Sequence, residues 1–280
     1  MKTIKYTGGL VGIVLALAFV SCDDIKEKDR LIDQGIVEVK SERCVLLEDY
    51  TGVRCVNCPN AAAEIKLLQA AYGSNLIVVG IYPQNPSGLT RPYDGSPDLR
   101  TEVAQTYATE FQIPQYPMGM INRKGDPSTF QAWGGKIQDV FDDTASDCVN
   151  LLATARLSGT NMEVGITGNF KKDYDVNGDI GIVAMVVEDD IKAEQLMPET
   201  MGGGTNPDYI HNHVLRAVIS EDIWGDGILD AFPTEGTSFD KQYTAVLDEN
   251  WQTQNLALVA LVVNLSTREV LQAAYAHLSK

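Results

Sequence analysis

Histidine, cysteine and basic side chains are all scarce in this chain. It has 3 histidines and 5 cysteines in 280 residues, and 22 Lys and Arg stand against 38 Asp and Glu, a net charge of −16. An acidic body without a dense basic cluster argues against binding nucleic acid or docking electrostatically on anionic lipid. One cysteine pair has C-x-x-C spacing, and His211, His213 and His277 lie far downstream of it. A zinc knuckle needs a second close ligand pair, so that spacing argues against zinc. The glycines Gly202 to Gly204 are not followed by a lysine at phosphate-loop spacing. No Ser-His-Asp arrangement can be argued from spacing, and no cofactor is implied.

The apolar run from Leu10 to Val20 is too short to span a bilayer as a mature helix. It follows the basic Met1-Lys2-Thr3-Ile4-Lys5 and ends in Ser21-Cys22, the pattern of a bacterial lipoprotein signal. Cleavage before Cys22 and lipid on that cysteine would anchor a soluble body to a membrane. It would also remove Lys2 and Lys5 but no acid, leaving the mature chain still more acidic. The charged run Asp23 to Arg30 reads as a solvated tether.

Cys55-Val56-Asn57-Cys58-Pro59 lies between a strand-like run, Cys44 to Tyr50, and a run of helix formers, Ala61 to Tyr72. At such a junction the helix N-terminus points unpaired N–H groups at a thiolate and lowers the first cysteine's pKa. Cys58 is placed to attack a mixed disulfide formed by Cys55. The alternative is a bridge that stays oxidised and staples a loop, and spacing leaves both open. Cys44 and Cys148 either form a second bridge or stay as buried thiols. Arg54 either stabilises a thiolate or is a solvated side chain, while Glu48 and Asp49 are candidate proton carriers.

The texture changes near Asp147. Before it, strands and helices alternate, with a strand over Leu76 to Tyr82, helices over Asp98 to Phe111 and Gln131 to Asp142, and a strand over Met118 to Arg123. The Pro- and Gly-rich stretch Pro83 to Pro97 is a long loop. After Val149, seven short segments punctuated by Gly, Asn and Asp read as an antiparallel β-sandwich. The expected organisation is a signal segment (1–21), a lipidated tether (22–40), an α/β domain (41–147) and an all-β domain (148–280).

Two other motifs read as structural. Asp173 to Asp179 imitates the start of a calcium loop, but the twelfth position is Ala184 rather than a bidentate Glu. The bland reading is a hairpin turn. His211 and His213 alternate without a third ligand, which favours structural roles over a metal.

The order strand, C-x-x-C, helix, strand, helix, proline, strand resembles the thioredoxin-like fold. That resemblance implies a cis-proline facing the cysteines, with Pro117 the matching position and Pro114 the alternative. More narrowly, Glu48 to Pro59, Tyr116 to Arg123 and His211 to Arg216 resemble the twenty-eight-kilodalton outer-membrane-protein family of gram-negative lipoproteins. The resemblance implies a thioredoxin-like domain followed by an immunoglobulin-like sandwich, held at the outer membrane by lipid on Cys22, periplasmic or surface-facing. Arg54 and Val56-Asn57 depart from the residues usual around the cysteines of redox enzymes with this fold. Two functions follow. One is thiol–disulfide exchange on envelope or surface proteins through Cys55, Cys58 and Pro117. The other is a non-enzymatic surface adhesin or assembly lipoprotein in which the bridge is a staple.

The anchor is testable first. Cys22→Ala should release the protein from membranes or stall its processing, and intact-mass analysis should place acylated Cys22 at the mature N-terminus. An unmodified N-terminus elsewhere would sink the idea.

Overall fold

The computed structural model describes residues 43–84, 88–175, 178–229 and 232–278. The signal segment, Cys22 and the tether lie outside the described residues, as does part of the calcium-like run. Strand β1 (Val45–Tyr50) leads through Cys55 to helix α1 (Cys58–Tyr72). Pro59 occupies the first turn of α1, where a missing N–H leaves no helical bond unmade. Gly73, at φ 58°, ends the helix in a conformation that favours glycine. Strand β2 (Leu76–Ile81) then runs parallel to β1.

Helix α2 (Glu102–Glu110) starts later than its sequence suggests. Asp98 is engaged by Arg100, and Thr101 becomes the cap, its Oγ1 accepting from the Ala104 N–H at 3.0 Å. The Tyr116–Pro117 peptide is cis, and Pro117 is buried directly before strand β3 (Met118–Ile121), which pairs antiparallel with β1. That strand stops short of Arg123 because Asn122 and Arg123 turn to φ 49° and 54°. Helix α3 (Trp133–Asp142) follows.

Strands β4 (Val149–Ser158), β5 (Asn161–Phe170) and β6 (Ile180–Glu188) come next. Four two-residue strands lie between β6 and the next long one: β7 (Ile191–Lys192), β8 (Gln195–Leu196), β9 (Thr205–Asn206) and β10 (Ile210–His211). The chain ends with β11 (Val214–Val218), β12 (Asp226–Leu229), β13 (Ser238–Val246), β14 (Leu256–Asn264) and β15 (Val270–His277). All seven expected strands after Val149 are present. The four short strands and β12 are not signalled by the sequence pattern.

The protein is mostly β, with few helices and mixed sheets. One sheet has the order β15-β14-β6-β11-β2-β1-β3, with β12 beside β6, and a second has the order β13-β5-β4. The large sheet therefore crosses the expected line at 147/148. Val214 lies opposite Gly80, whose N–H donates to the His213 carbonyl at 2.7 Å. The sheet also curls, so that its ends meet: the Val270 N–H donates to the Asn122 carbonyl at 2.9 Å. The β13-β5-β4 sheet packs on one face of β6 and β14, while α1 and α3 cover the same sheet over β1 and β2. The concave face holds α2 against Leu46, Tyr50, Val183 and Leu261. With both faces covered, β6 and β14 are buried at every position. Each Val, Leu or Ile fully buried there contributes about 1.5–3 kcal/mol.

A buried ion pair crosses this core. Glu48 on β1 accepts from Arg123 at 2.7 Å, with both side chains fully shielded from solvent. The guanidinium lies over Tyr107, 4.5 Å from the ring centroid, and near Phe111 and Trp224. These aromatic faces stabilise the charge where water is absent. Arg123→Met should leave Glu48 buried and uncompensated, costing about 3–5 kcal/mol in denaturant unfolding. Adding Glu48→Gln should recover much of that loss, and a loss under about 1 kcal/mol would show the pair to be solvated.

Candidate functional site

Cys55 and Cys58 are joined, with their Cα atoms 5.4 Å apart. Cys58 is the first residue of α1, and its N–H donates to the Cys55 carbonyl at 3.2 Å. Both cysteines are buried, each 3 % exposed. Two segments cover them. From one side, the Arg54 N–H donates to the Leu89 carbonyl at 2.7 Å. A Cβ on Gly52 would sit 2.6 Å from that carbonyl oxygen, so the Thr51-Gly52 turn needs its glycine. From the other side, the Gln195 Nε2 donates to the carbonyls of Cys55 at 3.1 Å and Leu196 at 3.0 Å. The Leu196 N–H donates to the Val53 carbonyl at 2.8 Å.

Arg54 is occupied by this cover. It donates to the carbonyls of Arg91 at 2.8 Å and Pro92 at 3.0 Å, and its guanidinium lies 3.8 Å from the Tyr93 ring centroid. It fastens the 88–97 segment, a third role that the sequence does not suggest.

Cys44 and Cys148 do not form the second bridge. Cys44 packs on the concave core and directs its Sγ to the Ser74 carbonyl at 3.7 Å. Cys148 belongs to the core between the two sheets, so the thiols sit in different hydrophobic clusters. Burial pushes the Cys148 thiol up to about 11.

The two candidate carboxylates separate cleanly. Alternation along β1 sends Glu48 to the α2 side, where Arg123 takes it. Asp49 shares the opposite side with Val45 and Leu47, under α1. There it lines a cavity of about 80 Å³ together with Thr51, Cys58, Tyr82, Gln195, His211 and His213. Asp49 is 5 % exposed, and its Oδ1 has no hydrogen-bond partner. Burial raises its pKa from an ordinary 3.8 to about 7.

The two histidines are each held separately. His211 accepts at Nδ1 from the Tyr82 hydroxyl at 2.9 Å and donates from Nε2 to the Ala193 carbonyl at 3.2 Å. Burial lowers its pKa to about 4, so the ring is neutral. His213 sits at φ 59° beside the junction of β2 and β11. Its Nδ1 faces Asp189 at 3.1 Å and its Nε2 faces the Gln69 amide at 3.1 Å. Burial works against the Asp189 charge, but the bonds from His213 outweigh it and lower its pKa. Among the described residues, no three His, Cys, Asp or Glu side chains converge on a metal position.

Asp49 gives this site a pH signature. Because its folded pKa lies above its unfolded one, the folded state binds the extra proton between about pH 4 and 7. Stability from this group therefore falls as pH rises through that window, by on the order of 4 kcal/mol. His211 acts in the opposite sense, losing stability as pH falls from about 6.5 toward 4. Comparison with Asp49→Asn separates the two. The variant should unfold at higher denaturant than the parent at pH 8, with the difference shrinking toward pH 4. An equal difference at both pH values would contradict the raised pKa.

A family model described as outer membrane protein Omp28 matches residues 104–279, beginning downstream of the cysteine pair. No curated protein matches the chain. Among solved structures, HBP35 of Porphyromonas gingivalis is similar with a TM-score of 0.63 at 18% identity, covering 85% of this chain and 76% of that one, a likeness of fold. A protein from Agrobacterium tumefaciens reaches a TM-score of 0.48 at 15% identity, over 84% of this chain and 94% of its own. A domain of the outer membrane lipoprotein Omp28 from Porphyromonas gingivalis reaches 0.30 at 17% identity, over 47% and 90%. Among the described residues, no helix is long and apolar enough to cross a membrane. The family match covers well over half of the chain, and the chain belongs to the Omp28 family of outer-membrane proteins.

Proposed function

We propose that this outer-membrane protein is a lipoprotein, anchored through Cys22, that exchanges thiols and disulfides on envelope proteins. In this reading β1, α1, β2, α2 and β3 form a thioredoxin-like part. Strands β4 to β15 form an immunoglobulin-like part that shares the large sheet with it. The observation that carries the reading is Asp49. A stapling disulfide has no use for a buried carboxylate with an unpartnered oxygen, which costs stability. A resolving cysteine does have a use for one, because its thiol must lose a proton before it attacks.

The reduced form would work in two steps. The Cys55 thiolate attacks one sulfur of a substrate disulfide, forming a mixed disulfide and releasing the other substrate sulfur as a thiolate. Asp49 then takes the proton of Cys58, whose thiolate attacks the Cys55 sulfur. The Cys55–Cys58 bridge closes, the second substrate sulfur leaves, and two electrons have passed to the substrate. A small dithiol donor would restore the reduced pair. Pro117, entering β3 beside the end of β1, would shape the groove for the substrate's extended backbone.

A second reading has its own support. Both cysteines are 3 % exposed, under Leu89 and Gln195. A permanently covered bridge would be a staple, and the protein an adhesin or assembly lipoprotein.

The two readings part in one experiment. Under exchange, Cys58→Ser should trap mixed disulfides with envelope proteins, and Cys55 should titrate below the free-cysteine value of about 8.5. Asp49→Asn should slow closure of the bridge at neutral pH by about a hundredfold, the lower end for a positioned proton carrier. A reduction potential far below about −300 mV, with no trapped partner, would favour the staple.

A further inference from the structure

The two covers of the disulfide are held in different ways. The 88–97 segment is fastened by the Arg54 guanidinium and by Tyr93, which packs on the apolar cluster of Val53, Tyr82 and Leu99. The other cover is the outer part of a hairpin. It runs out through β7 and β8 and returns through β9 and β10, with β7 paired to β10 and β8 to β9.

The base of this hairpin is anchored. Ile191 and Ala193 belong to that same apolar cluster. The Ala193 N–H donates to the Tyr209 carbonyl at 3.0 Å, and the Ala193 carbonyl accepts from His211. Beyond Ala193 the apolar anchoring stops. No residue from Glu194 to Asp208 belongs to a hydrophobic cluster, and only Gln195 and Pro198 among them are buried. The tip passes through Gly202, Gly203 and Gly204, all with left-handed backbone at φ 101°, 65° and 65°.

Polar bonds hold this outer part down. The Glu194 N–H donates to the Ser96 Oγ at 3.2 Å. The Gln195 Nε2 donates to the Cys55 carbonyl at 3.1 Å and, at 3.4 Å, to the Gly52 carbonyl. The Leu196 N–H donates to the Val53 carbonyl at 2.8 Å. Gln195 also lines the Asp49 cavity, so this one side chain bonds Cys55 and shares a cavity with Cys58. A segment with little buried apolar surface, held by a few polar bonds, opens at lower cost than the core around it.

We infer that residues 194–208 are a lid. It closes over the Cys55–Cys58 bridge in this conformation and lifts from its base at Ala193 and Tyr209 to admit a reactant. The lid regulates the exchange site and rests on that reading, but its test uses no envelope protein, so the two can fail separately.

The oxidised full-length protein is reduced with tris(2-carboxyethyl)phosphine under native conditions. Hydrogen exchange at the Leu196 amide is followed in parallel by mass spectrometry. Both rates scale with the population of the open lid. Gln195→Ala removes the fastening to Cys55 and should speed both by about tenfold, near the upper worth of one hydrogen bond. Ser96→Ala, away from the cysteines, should speed both by about threefold. Alkylation of buried Cys148 by N-ethylmaleimide reports loss of the core, and if Gln195→Ala exposes that thiol, Ser96→Ala decides. Faster reduction with unchanged Leu196 protection would mean that Gln195 only screens the bridge in place. Faster exchange with unchanged reduction would mean that the 88–97 segment is the barrier. Either result, or no change in both rates, would overturn the inference. Equal acceleration of the two rates with no partner trapped by Cys58→Ser would keep the lid and sink the exchange reading alone.

Discussion

Strand β1 is buried along its whole length and yet carries two carboxylates in a row. Much of the molecule is arranged around how each is accommodated. Alternation sends Glu48 and Asp49 to opposite faces of the sheet. On the concave face the core supplies Arg123, turned inward by two left-handed residues and enclosed by Tyr107, Phe111 and Trp224. Trp224 is in turn stacked under Arg268, which pairs with Glu110 at the end of α2. One carboxylate thus organises α2, the turn after β3 and the loop before β12. The other carboxylate has no such partner, and its proton is the answer that burial imposes.

The sheet is the second constraint. Because β2 and β11 join at Gly80 and Val214, the half that carries the cysteines is built into the half that carries the long strands. His213, in a left-handed conformation, presents its carbonyl to Gly80 and its ring to Asp189 and Gln69. His211, two residues earlier, binds Tyr82 just past the end of β2. The His211-Asn212-His213 run is therefore the seam between the halves. Its two rings also line the Asp49 cavity, so the seam and the redox candidate share side chains. The short strands between β6 and β11 bring Gln195 over the disulfide. In this chain the cysteines are covered by residues from more than 130 positions downstream, as the Gln195 contact with the Cys55 carbonyl shows at a separation of 140.

Much of this was legible beforehand. The junction of strand, Cys55 and Cys58, and helix followed from local patterns, and a cis peptide stands at Pro117, where the resemblance implied one. The long strands after Val149 were legible from their apolar runs. Their textures differ: β6 and β14 are apolar at nearly every position, whereas β4 and β13 alternate. Continuous runs signal burial on both faces, and so a sheet covered on both sides rather than a free-standing sandwich.

The sequence by itself determined the elements, because helix caps, turn residues and strand periodicity act within a few residues of one another. It also determined that two carboxylates and a C-x-x-C would stand at one strand end. The tertiary structure alone decided which carboxylate meets Arg123 and which lines a cavity with Cys58. It alone decided that Cys44 and Cys148 sit in separate cores, and that Arg54 fastens a loop. Each of those outcomes depends on contacts between distant parts of the chain, and no local pattern encodes which distant surface will arrive. Burial, set by those contacts, then decides whether a group such as Asp49 keeps its charge.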